Sequence, residues 1–178
     1  LNPDLKPFSR FAARDKILAD LARRFRGMNP PRSGSIFEGA LNGIACQQLT
    51  LTVGIQLLNR LVNACGAQVR EGDGTAHAFP RPEDLAAQPV SLLRQLGFSQ
   101  QKGRAMIELS QGISEGNLDL ESLESLPDEA ACARLRSLRG VGRWTAEYVL
   151  LRGLGRVHIF PGDDIGGRNN LRKWLGVE

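Results

Sequence analysis

Between Leu138 and Asp164 the chain reads L-R-G-V-G-R-W-T-A-E-Y-V-L-L-R-G-L-G-R-V-H-I-F-P-G-D-D, and few folds accommodate that order of parts. Gly140 and Gly142 predict a tight hairpin. Both are expected to supply φ > 0 and a bare backbone whose N–H groups can approach a bulky anion. The helix that follows carries Trp144 and Tyr148, four residues apart and therefore on one face. It aims its unsatisfied N–H groups and positive dipole end at the same place, so a phosphate is the natural ligand of the corner. Farther on, Phe160-Pro161-Gly162 delivers Asp163 and Asp164 to the start of another helix. Asp164 is expected in the first turn, where the dipole favours an anion, with Asp163 at the boundary as a competing cap.

The remainder reads as helices. Residues 1–12, with Pro3, Pro7 and Phe8, are expected to form an extended arm with Phe8 or Phe11 tucked onto the body. Ile17, Leu18, Leu21 and Phe25 recur at helical spacing and predict a helix over 13–25. Its Arg14, Lys16, Arg23 and Arg24 form a solvated face. Ser35-Ile36-Phe37-Glu38 has the capping-box form. The apolar run it opens lasts to Cys65, too long for one helix, so two are expected to meet near Gln48–Thr50 with Thr50 capping the second. Residues 66–81 are glycine-rich, polar and non-periodic and read as a loop, with His77 a surface histidine. Short helices are expected at 81–85 and 91–96 and a longer one from Gln101 to Glu115, and Pro127-Asp128-Glu129 opens another that ends at the hairpin. Val157–Phe160 reads as a short extended piece. The fold class is all-α, with two helical lobes and a cleft, in one domain over 1–178.

The hairpin, the aromatic Trp144, and Asp164 standing 22 residues after Gly142 resemble the helix-hairpin-helix DNA glycosylases. They are most similar to the alkylated-base branch, 3-methyladenine DNA glycosylase II, whose catalytic aspartate has that spacing. The segment I-A-C-Q-Q-L-T-L, residues 44–51, is similar to a Gln-Gln-(Ile/Leu)-Ser/Thr segment of the same family, and the likeness covers nearly the whole chain. The resemblance implies that Asp164, with Asp163 as its rival, stabilises an oxocarbenium-like sugar. It implies a base pocket lined by Trp144 and Tyr148, where cation–π attraction to a cationic alkylated base contributes about 0.5–2 kcal/mol. Gly140, Val141, Gly142, Arg143 and Thr145 would hold the DNA backbone, with Lys102 and Arg104 beside it. Gln48, flanked by Gln47 and Leu49, would fill the gap left by a flipped nucleotide. The carbonyls of Leu138 and Gly140 would hold a Na+ or K+ ion. Family members that nick the strand carry a lysine where this chain has Trp144, so hydrolysis alone is implied.

Blander readings stand beside these. The two glutamines can cap a helix end, Lys102 and Arg104 can be solvated, and both aspartates can be caps. The lesion can be another base, such as uracil, mismatched thymine or an oxidised purine, and a binding module without chemistry would share the hairpin.

A formal net charge of +4 is compatible with a polyanionic partner. Cys46, Cys65 and Cys132 are too few and too scattered for a disulfide framework, a zinc knuckle or an iron–sulfur cluster. Cys46 reads as a small buried hydrophobe. No apolar run approaches the roughly 18 residues of a membrane span. The expectation is a cytoplasmic monomer without cofactor that acts on double-stranded DNA holding a damaged base. The chain begins at Leu1 rather than Met and the family has further helices after the aspartate, so both ends are expected to be trimmed; some members also carry an N-terminal mixed α/β domain, whose absence here is either genuine or a product of trimming.

Overall fold

Asp15, Ser35, Thr50, Ser99 and Asp164 each stand immediately before a helix in the computed structural model, which describes residues 5–72 and 74–176. Their side-chain oxygens accept from backbone N–H groups of Ile17 and Leu18, Glu38, Val53, Lys102 and Gly167, respectively. Each satisfies an otherwise orphaned donor, worth about 1 kcal/mol. The elements in order are α1 (Lys6–Ala12), α2 (Lys16–Arg24), α3 (Ile36–Cys46), α4 (Leu51–Cys65), β1 (Gln68–Glu71), β2 (Gly74–His77), α5 (Pro82–Ala86), α6 (Val90–Gln95) and α7 (Gln100–Ser114). A 3-10 turn (Glu121–Ser125), α8 (Asp128–Arg136), α9 (Arg143–Arg152) and α10 (Ile165–Leu175) follow. The all-α expectation holds, with one small ribbon added.

The chain divides into two compact units. The larger, Arg32–Pro161, has a continuous apolar core. Ile36, Leu41 and Ile44 from α3 meet Leu61 of α4, Met106 of α7, Leu135 of α8 and Val149 of α9, all at most 2% exposed. The smaller unit, Leu1–Pro31 with Gly162–Glu178, contains α1, α2 and α10. In it Phe25 and Trp174 lie 6.0 Å apart, and an open apolar recess of about 860 Å³ is lined by Phe8, Leu18, Leu21, Phe25 and Met28 among others. Among the described residues no helix is long and apolar enough to cross a membrane.

Three expectations are corrected. From Lys6 the supposed arm is helical, because Pro7 sits in the first turn, where its missing N–H is harmless. Phe8 and Phe11 are 52% and 61% exposed, not tucked in. The supposed loop after Gly66 holds an antiparallel ribbon with Gln68 opposite His77 and Glu71 opposite Gly74. Gly72, at φ 58°, turns it, so the Gly-rich stretch was a hairpin signal.

The third correction is at Val157–Phe160, which is not extended. Ile159 N bonds back to Arg156 O at 3.0 Å, and the bend is held from α8. Arg156 donates to Asp128 Oδ1 at 2.6 Å and to the carbonyls of Leu123 and Leu126 at 2.8 and 2.7 Å. His158 Nε2 lies 2.7 Å from the other Asp128 oxygen. The bonds from His158 and then Arg156 hold the Asp128 carboxyl below its ordinary value of 3.8.

A depressed folded pKa contributes stability that is complete above 3.8 and lost as pH falls through the folded value. Asp128→Asn is therefore expected to melt lower than wild type at neutral pH, with the gap closing as pH drops below that of an ordinary carboxylate. Thermal melts across pH check this. Arg156→Met, which removes the ion pair to Asp128 and leaves the Leu126 carbonyl without its donor, should lower the unfolding free energy by about 2 kcal/mol in urea titration.

Candidate functional site

Gly140 adopts φ 75°, and a Cβ there would lie 2.7 Å from Ala105 Cβ on α7. Left-handed backbone and close approach both demand glycine at this point. Gly142 differs from expectation: its φ of −85° and ψ of −177° are ordinary extended backbone. An added Cβ would meet nothing within 4 Å, so neither conformation nor packing demands glycine here. It is the residue before α9 and, as a glycine, brings no side chain of its own to cap that helix. Of the pair, Gly140 packs the hairpin onto α7.

Two hairpin residues face inward. Val141 is buried, and its N–H bonds Leu138 O at 3.2 Å. Thr145 is 2% exposed, and its Oγ1 accepts from Gln47 Nε2 at 2.7 Å. The side chains of Val141 and Thr145 thus belong to the packing beneath the hairpin. Arg143 is exposed and its Nε donates to Glu147 at 2.8 Å. Arg139 pairs with Glu108 at 2.7 Å.

The turn between α3 and α4 is brought to the hairpin. Gln47 Nε2 donates to Gly140 O as well as to Thr145, both at 2.7 Å, bridging segments more than ninety residues apart in sequence. Gln48 is exposed and has φ 54°, the only positive φ of a non-glycine among the described residues. Leu49 is 40% exposed. Lys102, read as a phosphate contact, is half-buried, and its Nζ donates to Ala45 O at 2.8 Å and Gln47 O at 2.7 Å. Burial pushes its pKa down, partly offset by Cys46. Two of its three donors are thus engaged by protein, which does not fit a direct grip on phosphate. Arg104, two residues on, is exposed. The link between Lys102 and the turn left no local trace in sequence, because it spans 55 residues.

Trp144 and Tyr148 stack with centroids 5.4 Å apart and 27° between planes. The Arg152 guanidinium lies 5.7 Å from the Tyr148 centroid, a partner that sequence reasoning missed although it stands four residues on. Tyr148 is half-buried, which pushes its phenol pKa up. Burial likewise raises the Cys46 thiol, in keeping with a hydrophobe's role.

In the smaller unit, Asp164 itself caps α10, with Oδ1 accepting from Gly167 N at 2.6 Å. The expectation that Asp163 holds the cap and Asp164 the first turn is corrected, since Asp164 has extended dihedrals of −71° and 109°. Asp163 is exposed and Asp164 half-buried.

With this geometry established, comparison with known proteins is informative. The family described as HhH-GPD superfamily base excision DNA repair protein matches residues 41–178. A Bacillus subtilis protein, YfjP, provisionally named a DNA-3-methyladenine glycosylase, is 37% identical over 81% of this chain and 49% of its own length. A second Bacillus subtilis protein, named DNA-3-methyladenine glycosylase, is 31% identical over 93% of this chain and 55% of its own. The structure of a 3-methyladenine DNA-glycosylase from Archaeoglobus fulgidus superposes with a TM-score of 0.84 at 32% identity, covering 97% of this chain and 57% of that one. The chain thus spans about half the length of the curated relatives it matches.

The two hairpin glycines should respond oppositely to a methyl group. Gly140→Ala meets both a left-handed backbone and the Ala105 side chain, and should lose about 2–4 kcal/mol of stability. Gly142→Ala, in open space with ordinary dihedrals, should stay within about 0.5 kcal/mol of wild type. Urea denaturation of both variants checks the contrast.

Proposed function

The chain belongs to the HhH-GPD superfamily of base excision DNA repair proteins, and on that premise we propose that it is a DNA glycosylase for alkylated purines of the 3-methyladenine and 7-methylguanine type. The observation that carries the reading is the corner at α9, a helix N-terminus directly behind Gly142 with Trp144, stacked on Tyr148, in its first turn. Phosphate acceptance and base stacking are there combined within a few residues. The names of the relatives agree with an alkylated base as substrate.

The target nucleotide is extruded from the duplex, at a cost of a few kcal/mol that is least at a damaged pair, and Gln48 fills the vacancy. Gly140 and Gly142 bring backbone to the phosphates, with Arg143 and Arg104 at hand. The carbonyls of Leu138 and Gly140, each accepting one hydrogen bond, keep a second lone pair. They fit a Na+ or K+ ion, which would supply a positive bridge to phosphate. A cationic base stacks on Trp144, and its C1′–N bond breaks with the electron pair leaving on the base, now neutral. Asp164, at the anion-favouring end of α10, stabilises the oxocarbenium-like sugar. Water adds to C1′ and yields a proton to solvent, leaving an abasic site. With Trp144 where a Schiff-base lysine would stand, the strand is left intact.

The test is base release from duplex DNA carrying 3-methyladenine or 7-methylguanine. Wild type is expected to release free base without nicking the strand. Asp164→Asn should keep DNA binding and lose release by about 100-fold or more, and Trp144→Ala should lose about 2- to 30-fold. Binding with no base released would overturn the alkylated-base reading, and a nicked product would overturn the hydrolysis-only chemistry.

A further inference from the structure

Gln48 occupies a position that a side chain rarely tolerates, and the structure shows what keeps it there. Residues 46–49 have the form of a type II turn. Gln47 has φ −53° and ψ 131°, Gln48 has φ 54°, and Leu49 N bonds Cys46 O at 3.3 Å. The third residue of such a turn is ordinarily glycine or asparagine, and a type I turn would relieve the glutamine entirely. The two types differ by a flip of their central peptide, here the one joining Gln47 to Gln48. That peptide's carbonyl, Gln47 O, accepts from Lys102 Nζ at 2.7 Å, and the same ammonium takes Ala45 O, at the frayed end of α3, at 2.8 Å. A flip would carry Gln47 O away from the ammonium. The half-buried charge would then lose a charge-assisted partner.

We infer that Lys102 is a positioning residue that selects the type II turn and so aims Gln48 outward, while Gln47, bonded to Gly140 O and Thr145 Oγ1, fixes that turn to the hairpin. The inference rests on the glycosylase reading for its purpose, since an aimed Gln48 serves nucleotide flipping. It does not rest on that reading for its structural content. The strain at Gln48 is held by a residue that never touches DNA, which ties insertion of the plug to grip of the backbone through one hydrogen-bonded chain. Lys102 thereby exchanges the phosphate contact expected of it for an indirect role.

The experiment has two arms on the full chain. In the first, Lys102→Met, Gln48→Gly and the double variant are unfolded in urea without DNA. Lys102→Met is expected to lower the folding equilibrium constant about tenfold or more in the wild-type background. In the Gln48→Gly background, where glycine accepts the turn unaided, the loss should fall below about threefold. Equal losses in both backgrounds would overturn the inference whatever the enzyme does. In the second arm, Lys102→Met is titrated with undamaged duplex and with duplex carrying 2-aminopurine beside a stable abasic analogue. Undamaged-duplex affinity and its salt slope should change less than about twofold, while the 2-aminopurine signal of flipping falls about tenfold. A uniform loss of affinity with a salt slope smaller by about one would instead make Lys102 a phosphate contact and overturn the inference. Should wild type give no flipping signal while the first arm shows the expected coupling, the glycosylase reading fails and the turn assignment stands.

Discussion

At Gly39 and Gly43, one turn apart on α3, the chain runs against α9 with almost no side chain between. A methyl group at Gly39 would lie 3.0 Å from Gly153 Cα, and one at Gly43 would lie 3.0 Å from Thr145 Cγ2 and 3.3 Å from Tyr148 Cδ1. This close crossing sets the geometry of the larger unit. It places Gln47, just past the end of α3, within reach of Thr145 and the hairpin carbonyl. It also backs Tyr148 firmly enough that Tyr148 can support Trp144 in turn. Without the two small residues the helices would stand farther apart, and the hydrogen bonds that join turn to hairpin would be out of range.

Charge is used in two ways around that crossing. Lys102 is drawn into protein to neutralise the carbonyl end of α3, where helix dipole and orphaned acceptors both favour a cation. At α9 the opposite end begins behind Gly142, which has no side chain of its own to cap it. The whole of the formal +4 excess lies in the first 31 and last 17 residues, so the larger unit carries no net formal charge.

Local signals proved readable and long-range ones did not. Ser35 and Thr50 were legible as caps because a short polar side chain before an apolar run has one economical use. The pairing of Trp144 with Tyr148 followed from helical periodicity alone. What a glycine pair cannot reveal is which member needs the left-handed backbone. It is Gly140, where Ala105, 35 residues earlier in sequence, also leaves no room for a Cβ. The inward turn of Thr145, the recruitment of Lys102 and the clamp of Arg156 and His158 on Asp128 likewise depend on partners distant in sequence. Thr145, Lys102 and Arg156 are of types usually met in solvent, so composition pointed outward where packing turned them in.

The ribbon of β1 and β2 stands apart from all of this. Its described side chains are exposed or nearly so, and none joins the core. Its base is drawn tight, with Ala78 N bonded to Ala67 O at 2.9 Å and no room at Gly66, where a Cβ would fall 2.0 Å from Ala78 O. The two ends of the excursion are therefore fixed beside one another by the backbone before any residue of the ribbon is counted. Chain added at its tip meets only the slowly rising entropy of a longer closed loop. The ribbon is accordingly the place where this sequence can change length, by insertion, permutation or drift between relatives, while α4 and α5 keep their register.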